Sequence, residues 1–384
     1  MTPPEQQVTT RATPARARDL GIALNGEPGP VNALTDVPGV EVGHVSMVEG
    51  SGPLRVGHGP VRTGVTAVLP LGRVGVGQAC PAGWFSLNGN GEMTGTAWIE
   101  ESGGLALPVL LSNTHAVGAC HRGVIDWLVA RRPELGHRWH LPVVAETWDG
   151  YLNDVNGAHV RPEHAVAALD AATGGPVAEG AVGGGTGMTC YGFKGGSGTA
   201  SRRVAYGPDT YHVGALVQAN FGARAELVVA GVPVGRRLSA DNPEEDDVTW
   251  LAPPGSGSVI VLVGTDAPLL PGQCKALARR VPLGLARTGT TGSHFSGDLF
   301  LAFSTANPGA LNSEFPVGGE SGYQDLRFVP WGRLDVFYAA VVQAVEEAVL
   351  NALVAGRTMV GRDGHRVPGL PHERLRALLA QGRA

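Results

Sequence analysis

A run of prolines, glycines and serines, Pro253-Pro254-Gly255-Ser256-Gly257, passes without a break into Ser258-Val259-Ile260-Val261-Leu262-Val263-Gly264-Thr265. The second half is β-branched and too apolar for an edge strand, so the chain must supply layers that bury it. Ser258 is the first strand residue with a chemical handle, and its hydroxyl lies where loop becomes sheet. Gly257 carries no Cβ, which lets the preceding carbonyl swing close to that hydroxyl. The arrangement suits a serine that attacks its own peptide bond, and it equally suits a Gly/Ser linker entering a buried strand.

The other elements repeat this alternation of strand and turn. Strand patterns cover 63–70, 202–206, 212–218 with a continuation to Asn220, 226–230, 258–265 and 299–304. Helical spacing covers 113–131, with Asn113 as cap, and then 162–172, 268–286, 334–354 and 371–381. Among 384 residues there are 58 glycines without a collagen-like period, and 43% are hydrophobic, which indicates turn-rich globular packing rather than disorder. The expected fold is a mixed α/β sandwich in which helices cover stacked sheets. Residues 1–30, rich in Pro, Thr, Arg and Gly, are expected to be mobile or laid along the surface, and residues 31–384 to form one domain. The acidic, proline-rich run 239–257 is the one stretch that reads as a linker.

A net charge of −5 with both signs interspersed predicts neither nucleic acid nor a membrane surface as partner. Cys80, Cys120, Cys190 and Cys274 show no CxxC or Cys/His spacing, so no metal site is expected and the thiols read as buried residues in a reducing compartment. Residues 1–18 lack the apolar run of a signal peptide, and the expected location is cytoplasmic.

Several polar residues stand where strands end. Glu146 closes the apolar run 141–145 and is followed by Thr147-Trp148-Asp149; a carboxylate so placed serves either a cleft or a solvated loop. Asn220 ends a strand two residues before a glycine and either aims its amide at a reacting carbonyl or makes a turn. Leu87-Asn88-Gly89-Asn90-Gly91-Glu92-Met93-Thr94-Gly95 is a turn or a site lining. The glycines at 183–187 and 192–198 lack the GxxxxGK[ST] order of a phosphate cradle and read as a tightly packed hairpin. Ser296 and Asp298 stand at the mouth of a later strand.

If the bond between Gly257 and Ser258 is cut, Ser258 gains a free α-amine, whose ordinary pKa of about 8 makes it a workable base near neutral pH. One residue then supplies both nucleophile and base. Ser296 and Asp298 can polarise its hydroxyl through a hydrogen-bond chain, and Asn220 is the candidate oxyanion donor.

Six segments in order, Leu87-Asn-Gly-Asn-Gly-Glu-Met-Thr-Gly95, Gly185-Thr-Gly-Met188, Phe193-Lys-Gly-Gly196, Thr265-Asp-Ala-Pro-Leu-Leu270, Ser293-His-Phe-Ser-Gly-Asp298 and Gly361-Arg-Asp-Gly364, resemble the self-processing serine peptidase family of L-aminopeptidase/D-esterases and β-aminopeptidases. The match runs from about residue 30 to 370. The resemblance implies a four-layer αββα sandwich, similar to N-terminal nucleophile hydrolases but differently connected. It implies self-cleavage into 1–257 and 258–384, without cofactor or metal, and assembly of the paired pieces into a homo-oligomer, typically a tetramer of αβ heterodimers. By the same resemblance Ser258 is nucleophile, Ser296 and Asp298 its polarising partners, Asn220 the oxyanion donor and Glu146 the anchor for the amine of a small peptide or amino acid amide. Trp148 stands where the family can carry tyrosine; an indole N–H donates but cannot accept, so it bears on which side chains fit, and Tyr151 is a substitute hydroxyl. The implied activity is that of an aminopeptidase, amidase or esterase. Two alternatives stand beside it: an acyltransferase similar to the ornithine acetyltransferases, whose nucleophile is threonine, and a chain that never processes and binds a small ligand.

Overall fold

The structure, a computed structural model, describes residues 15–249, 252–313 and 322–382. Counting only the two large sheets and the helices that cover them, the strands are β1 (Glu41–Glu49), β2 (Val61–Leu69), β3 (Cys80–Gly89), β4 (Gly104–Leu105), β5 (Val109–Asn113), β6 (Val143–Thr147), β7 (Gly196–Tyr206), β8 (Asp209–Gly222), β9 (Gly255–Thr265) and β10 (Ser296–Ser304). The covering helices are α1 (Val117–Arg131), α2 (Pro162–Asp170), α3 (Pro271–Ala278), α4 (Val281–Ala286) and α5 (Asp335–Ala355). One sheet runs β1-β2-β5-β6 and the other β4-β3-β10-β9-β8-β7.

Strand β9 lies inside the larger sheet, and its period-2 side chains divide between two cores. Val259, Val261 and Val263 point toward the helices α3 to α5, while Ile260 and Leu262 meet Val109, Leu111, Val143 and Ala145 of the smaller sheet. A third core sits between the smaller sheet and α1 and α2. The result is a four-layer αββα sandwich, with Val259 to Val263 fully buried at its centre.

Helix α5 is long and apolar enough by composition to cross a bilayer, yet Phe337, Val341, Val345 and Val349 are wholly buried against the larger sheet. Gly198 permits that approach, since a Cβ there would fall 2.0 Å from the Ala348 carbonyl oxygen. Glu347, fully buried on α5, ties in the N-terminal segment through Arg18 (2.8 Å), Asn32 (2.6 Å) and Arg202 (2.7 Å). Arg16 donates to the Thr199 carbonyl (2.6 Å) and pairs with Glu179 (2.8 Å). Residues 15–30 are therefore laid along the larger sheet and α5, the second of the two dispositions expected for this part; residues 1–14 lie outside the described residues.

Three other expectations change. The helix read over 268–286 is two, because Pro282 cannot donate an N–H and opens a new first turn in α4. Residues 226–230 form a 3-10 turn ending at Glu226 and a single bridge between Val229 and Val232 instead of a strand. The start of the apparent linker is held by a buried cation, since Arg224 donates to the carbonyls of Ala240 and Asp241 (both 3.2 Å) as well as to those of Tyr191 (2.7 Å), Gly192 (2.6 Å) and Leu238 (2.7 Å), and Tyr151 holds Asp247 farther along (2.6 Å).

The topology collects the polar strand ends at one place. Antiparallel pairing of β8 with β9 sets Asn220 opposite Ser258, and parallel pairing of β10 with β9 sets Gly297 beside Ser258. Antiparallel β3 brings Asn88 opposite Asp298. In the smaller sheet, β5 and β6 run parallel, so Asn113 and Thr147 end together.

Candidate active site

Ser258 is 3% exposed, and its Oγ sits 2.6 Å from the carbonyl oxygen of Gly257, to which it donates. The N–H of Gly297 donates to the same Oγ at 3.2 Å. Gly257 is indispensable to this conformation: its φ is +155°, and a Cβ would lie 1.9 Å from the backbone oxygen of Asn220. The sequence thus folds the junction so that one hydroxyl lies against the peptide bond that precedes it.

On the neighbouring strand β10, the Ser296 hydroxyl donates to Asp298 Oδ1 (2.5 Å), and Asn88 Nδ2 donates to Asp298 Oδ2 (3.0 Å) and to the Ser293 carbonyl (2.9 Å). Burial pushes the Asp298 carboxyl above its ordinary range, against hydrogen bonds from Ser296, Asn88 and the Val259 N–H that favour the charged form. Asn220 is held at both ends of its amide: Oδ1 accepts from the Thr189 N–H (2.8 Å), and Nδ2 donates to the Trp148 carbonyl (3.0 Å). An amide nitrogen has a second hydrogen to give.

Glu146, 2% exposed at the end of β6, accepts from the Glu92 N–H (2.9 Å) and from the Thr114 hydroxyl. Burial raises its pKa, the two hydrogen bonds and His115 oppose the rise, and the Glu92 charge adds to it. A cavity of about 690 Å3 is lined by Glu146, Trp148, Asn220, Gly257 and Ser258 together, within the usual range for a small-molecule site. Ser296 and Asp298 do not line it; they pair with Gly257 and Val259, on either side of Ser258, and make no hydrogen bond to its hydroxyl among the described residues. Tyr151 lines the cavity, but its hydroxyl donates to Asp247 (2.6 Å) and its ring stacks on His365 with centroids 4.5 Å apart. Among the described residues no group of three or more His, Cys, Asp or Glu side chains is arranged to hold a metal ion.

The arrangement offers acyl transfer to a hydroxyl, with amide and backbone donors nearby and a carboxylate to receive a cation. The model of peptidase family S58 matches residues 32–367. This chain belongs to peptidase family S58. The S58 chain is 50% identical over 376 residues to the β-peptidyl aminopeptidase BapA of Sphingosinicella microcystinivorans, covering 96% of this chain and 92% of that protein. It is 45% identical to the solved L-aminopeptidase D-Ala-esterase/amidase of Ochrobactrum anthropi, with a TM-score of 0.88 over 96% of this chain and 99% of that one; that structure is described as a prototype for the serine aminopeptidases and a new variant among the Ntn hydrolase fold. A β-aminopeptidase from Burkholderia sp. matches with a TM-score of 0.84 at 45% identity, over 96% of this chain and 99% of its own. The S58 chain is a serine-type aminopeptidase of the aminopeptidase/amidase/esterase group, on the Ntn-like αββα fold expected from its motifs.

In this S58 site the structure also places residues that sequence reasoning left without a role. Asn88 and Glu92 come from a segment read as a turn or a lining: Asn90, Gly91 and Glu92 line the cavity, while Asn88 holds Asp298. Lys194, fully buried in a glycine-rich ribbon, gives its ammonium to the carbonyls of Met188 (2.6 Å), Gly195 (2.9 Å) and Gly185 (3.4 Å). It therefore fixes the loop whose Thr189 N–H holds Asn220. Glu244, from the apparent linker, lines the cavity. Burial pushes its carboxyl up to about 7, opposed by the N–H groups of Arg224 and Gly255 and by the Arg224 charge. Nothing in the local sequence separates such buried charges from a solvated acidic run.

Proposed function

We propose that this aminopeptidase first cuts its own chain between Gly257 and Ser258 and then uses Ser258 to release the N-terminal residue of short peptides, amino acid amides or esters. The observation that carries the proposal is the Ser258 Oγ, 2.6 Å from the Gly257 carbonyl oxygen with the Gly297 N–H at its back. In the first step Oγ attacks the Gly257 carbonyl carbon, the peptide C–N bond breaks, and the proton leaving Oγ ends on the Ser258 nitrogen, now an amine. Water then hydrolyses the Gly257–Ser258 ester, leaving a carboxylate on Gly257 and a free hydroxyl and α-amine on Ser258.

In turnover the neutral α-amine takes the Oγ proton as Oγ attacks the substrate carbonyl. Asn220 meets the developing oxyanion with its amide, Ser296 and Asp298 on the adjacent strand polarise the nucleophile, and Glu146 receives the substrate ammonium. Collapse expels the leaving amine or alcohol with that proton, and water frees the acyl group. Trp148 walls the acyl pocket beside Glu146. The names of two relatives support N-terminal β-amino residues as substrates beside α-residues. The family assignment favours hydrolysis over the acyltransferase alternative.

The same reading has the two pieces remain paired and assemble into a tetramer, which light scattering tests, and places the enzyme in the cytoplasm, where four free buried cysteines remain reduced. Intact mass of freshly purified protein is expected to show pieces 1–257 and 258–384, and Ser258→Ala to remain whole and inactive. A wild-type chain that stays whole while active, or a Ser258→Ala chain that cleaves an amino acid p-nitroanilide, refutes the assignment.

A further inference from the structure

The Gly361-Arg362-Asp363-Gly364 motif has no part in the acyl-transfer machinery, yet it delivers a cation to the same cavity. Arg362 is the one Lys or Arg among the described lining residues, where Glu92, Glu146 and Glu244 are the carboxylates. The side chain is 23% exposed and braced rather than loose: Nε donates to the Gly150 carbonyl (2.7 Å) and Nη1 to Asp363 (2.7 Å). Its Nη2 has no hydrogen-bond partner among the described residues.

The backbone around it is equally fixed. The Arg362 N–H donates to the Leu152 carbonyl (2.9 Å), and a Cβ on Gly361 would lie 2.1 Å from that same oxygen, so only glycine lets the motif approach this closely. Asp363 in turn accepts from the Leu54 N–H (2.8 Å). The Trp148 indole packs over Gly150, whose carbonyl carries the guanidinium. Glu146 is tied instead to residues 92 and 114, so the two opposite charges reach the cavity from different elements.

A cavity of about 690 Å3 with an anionic anchor and one braced guanidinium fits a short zwitterion: ammonium on Glu146, carboxylate on the open edge of Arg362. We propose that Arg362 is a subsite for the free C-terminal carboxylate of di- and tripeptides, so that the enzyme favours peptide acids over the matching peptide amides. The inference rests on the aminopeptidase reading and adds the chemistry of the leaving side to it.

The test compares kcat and KM for di- and tripeptides with those for the same peptides carrying a C-terminal amide. In the wild type, kcat/KM for the acid is expected to exceed that for the amide by roughly 10- to 100-fold. Arg362→Gln should bring the ratio close to one through a higher KM for the acid, and Arg362→Lys should retain part of the preference and serves as the probe if Gln prevents processing. A wild-type ratio already near one, or an Arg362→Gln variant that loses acid and amide turnover by the same factor, overturns the proposal. If the wild type hydrolyses neither peptide, the activity reading has failed independently. Calorimetry with a reduced-amide dipeptide then reads the subsite alone, and equal affinity for its acid and amide forms overturns it.

Discussion

Asn220 and Ser258 are direct partners across the antiparallel ladder of β8 and β9, so the proposed oxyanion donor and the nucleophile are set by the register of one sheet. A register fixed by buried residues on both faces cannot slip without moving every side chain to the wrong core. The Thr189 N–H on Asn220 Oδ1 fixes which end of the amide faces outward. Asn220→Asp keeps that acceptor and loses the donor; kcat for an amino acid amide is expected to fall roughly 100- to 1000-fold in both Asn220→Asp and Asn220→Ala. A fall of less than threefold removes Asn220 from the oxyanion site.

Gly257→Ala places a methyl group 1.9 Å from the Asn220 backbone oxygen, and the backbone at that point must move. The alignment of the Ser258 hydroxyl with the preceding carbonyl is then lost. A time course on denaturing gels is expected to show the whole precursor persisting long after the wild type has split, with cooperative thermal melting retained. Wild-type processing by this variant excludes the geometry described for the junction.

The buried pair Ser296 and Asp298 is expected to act on the chemical step. Ser296→Ala should lower kcat by roughly 100-fold or more with little change in KM. Asn88→Ala removes a hydrogen bond that favours charged Asp298, so the Asp298 pKa rises further. Because the ionised carboxylate is the working form, the acid limb of the kcat profile should move to higher pH. A limb that stays in place, or moves down, contradicts this role.

Much of this site was legible because its residues punctuate strands. Ser258, Asn220 and Glu146 each stand where an apolar run meets glycine or polar residues, and the burial of Val259 to Val263 follows from their composition. Asn113 was read as a cap, and it does accept from the His115 N–H. Arg224, Lys194 and Glu347 left no such trace, because each is satisfied by groups distant in the chain or by irregular backbone. The N-terminal segment looked loose for the same reason: its anchor, Glu347, lies more than 300 residues away. The acidic run before the junction has the composition of a solvated loop, and partners distant in the chain, Arg224 on Ala240 and Asp241, Arg366 on Asp241 and Tyr151 on Asp247, make it a wall.

Glu146 gives a prediction with a definite sign in pH. Its carboxyl is raised by burial, and only the ionised form attracts an ammonium, so kcat/KM for amine-bearing substrates must fall as pH drops through a pKa above the ordinary value of about 4.3. The Ser258 α-amine must be neutral and imposes a second acid ionisation, ordinarily near pH 8. With the Asp298 carboxylate also required, the wild-type profile should therefore steepen from one proton to three as pH falls. Glu146→Gln should raise KM by roughly 10- to 100-fold and leave a limb one proton less steep than the wild type's, since glutamine does not titrate. A limb that keeps its full wild-type steepness in Glu146→Gln assigns that ionisation to another group and removes Glu146 as the amine anchor.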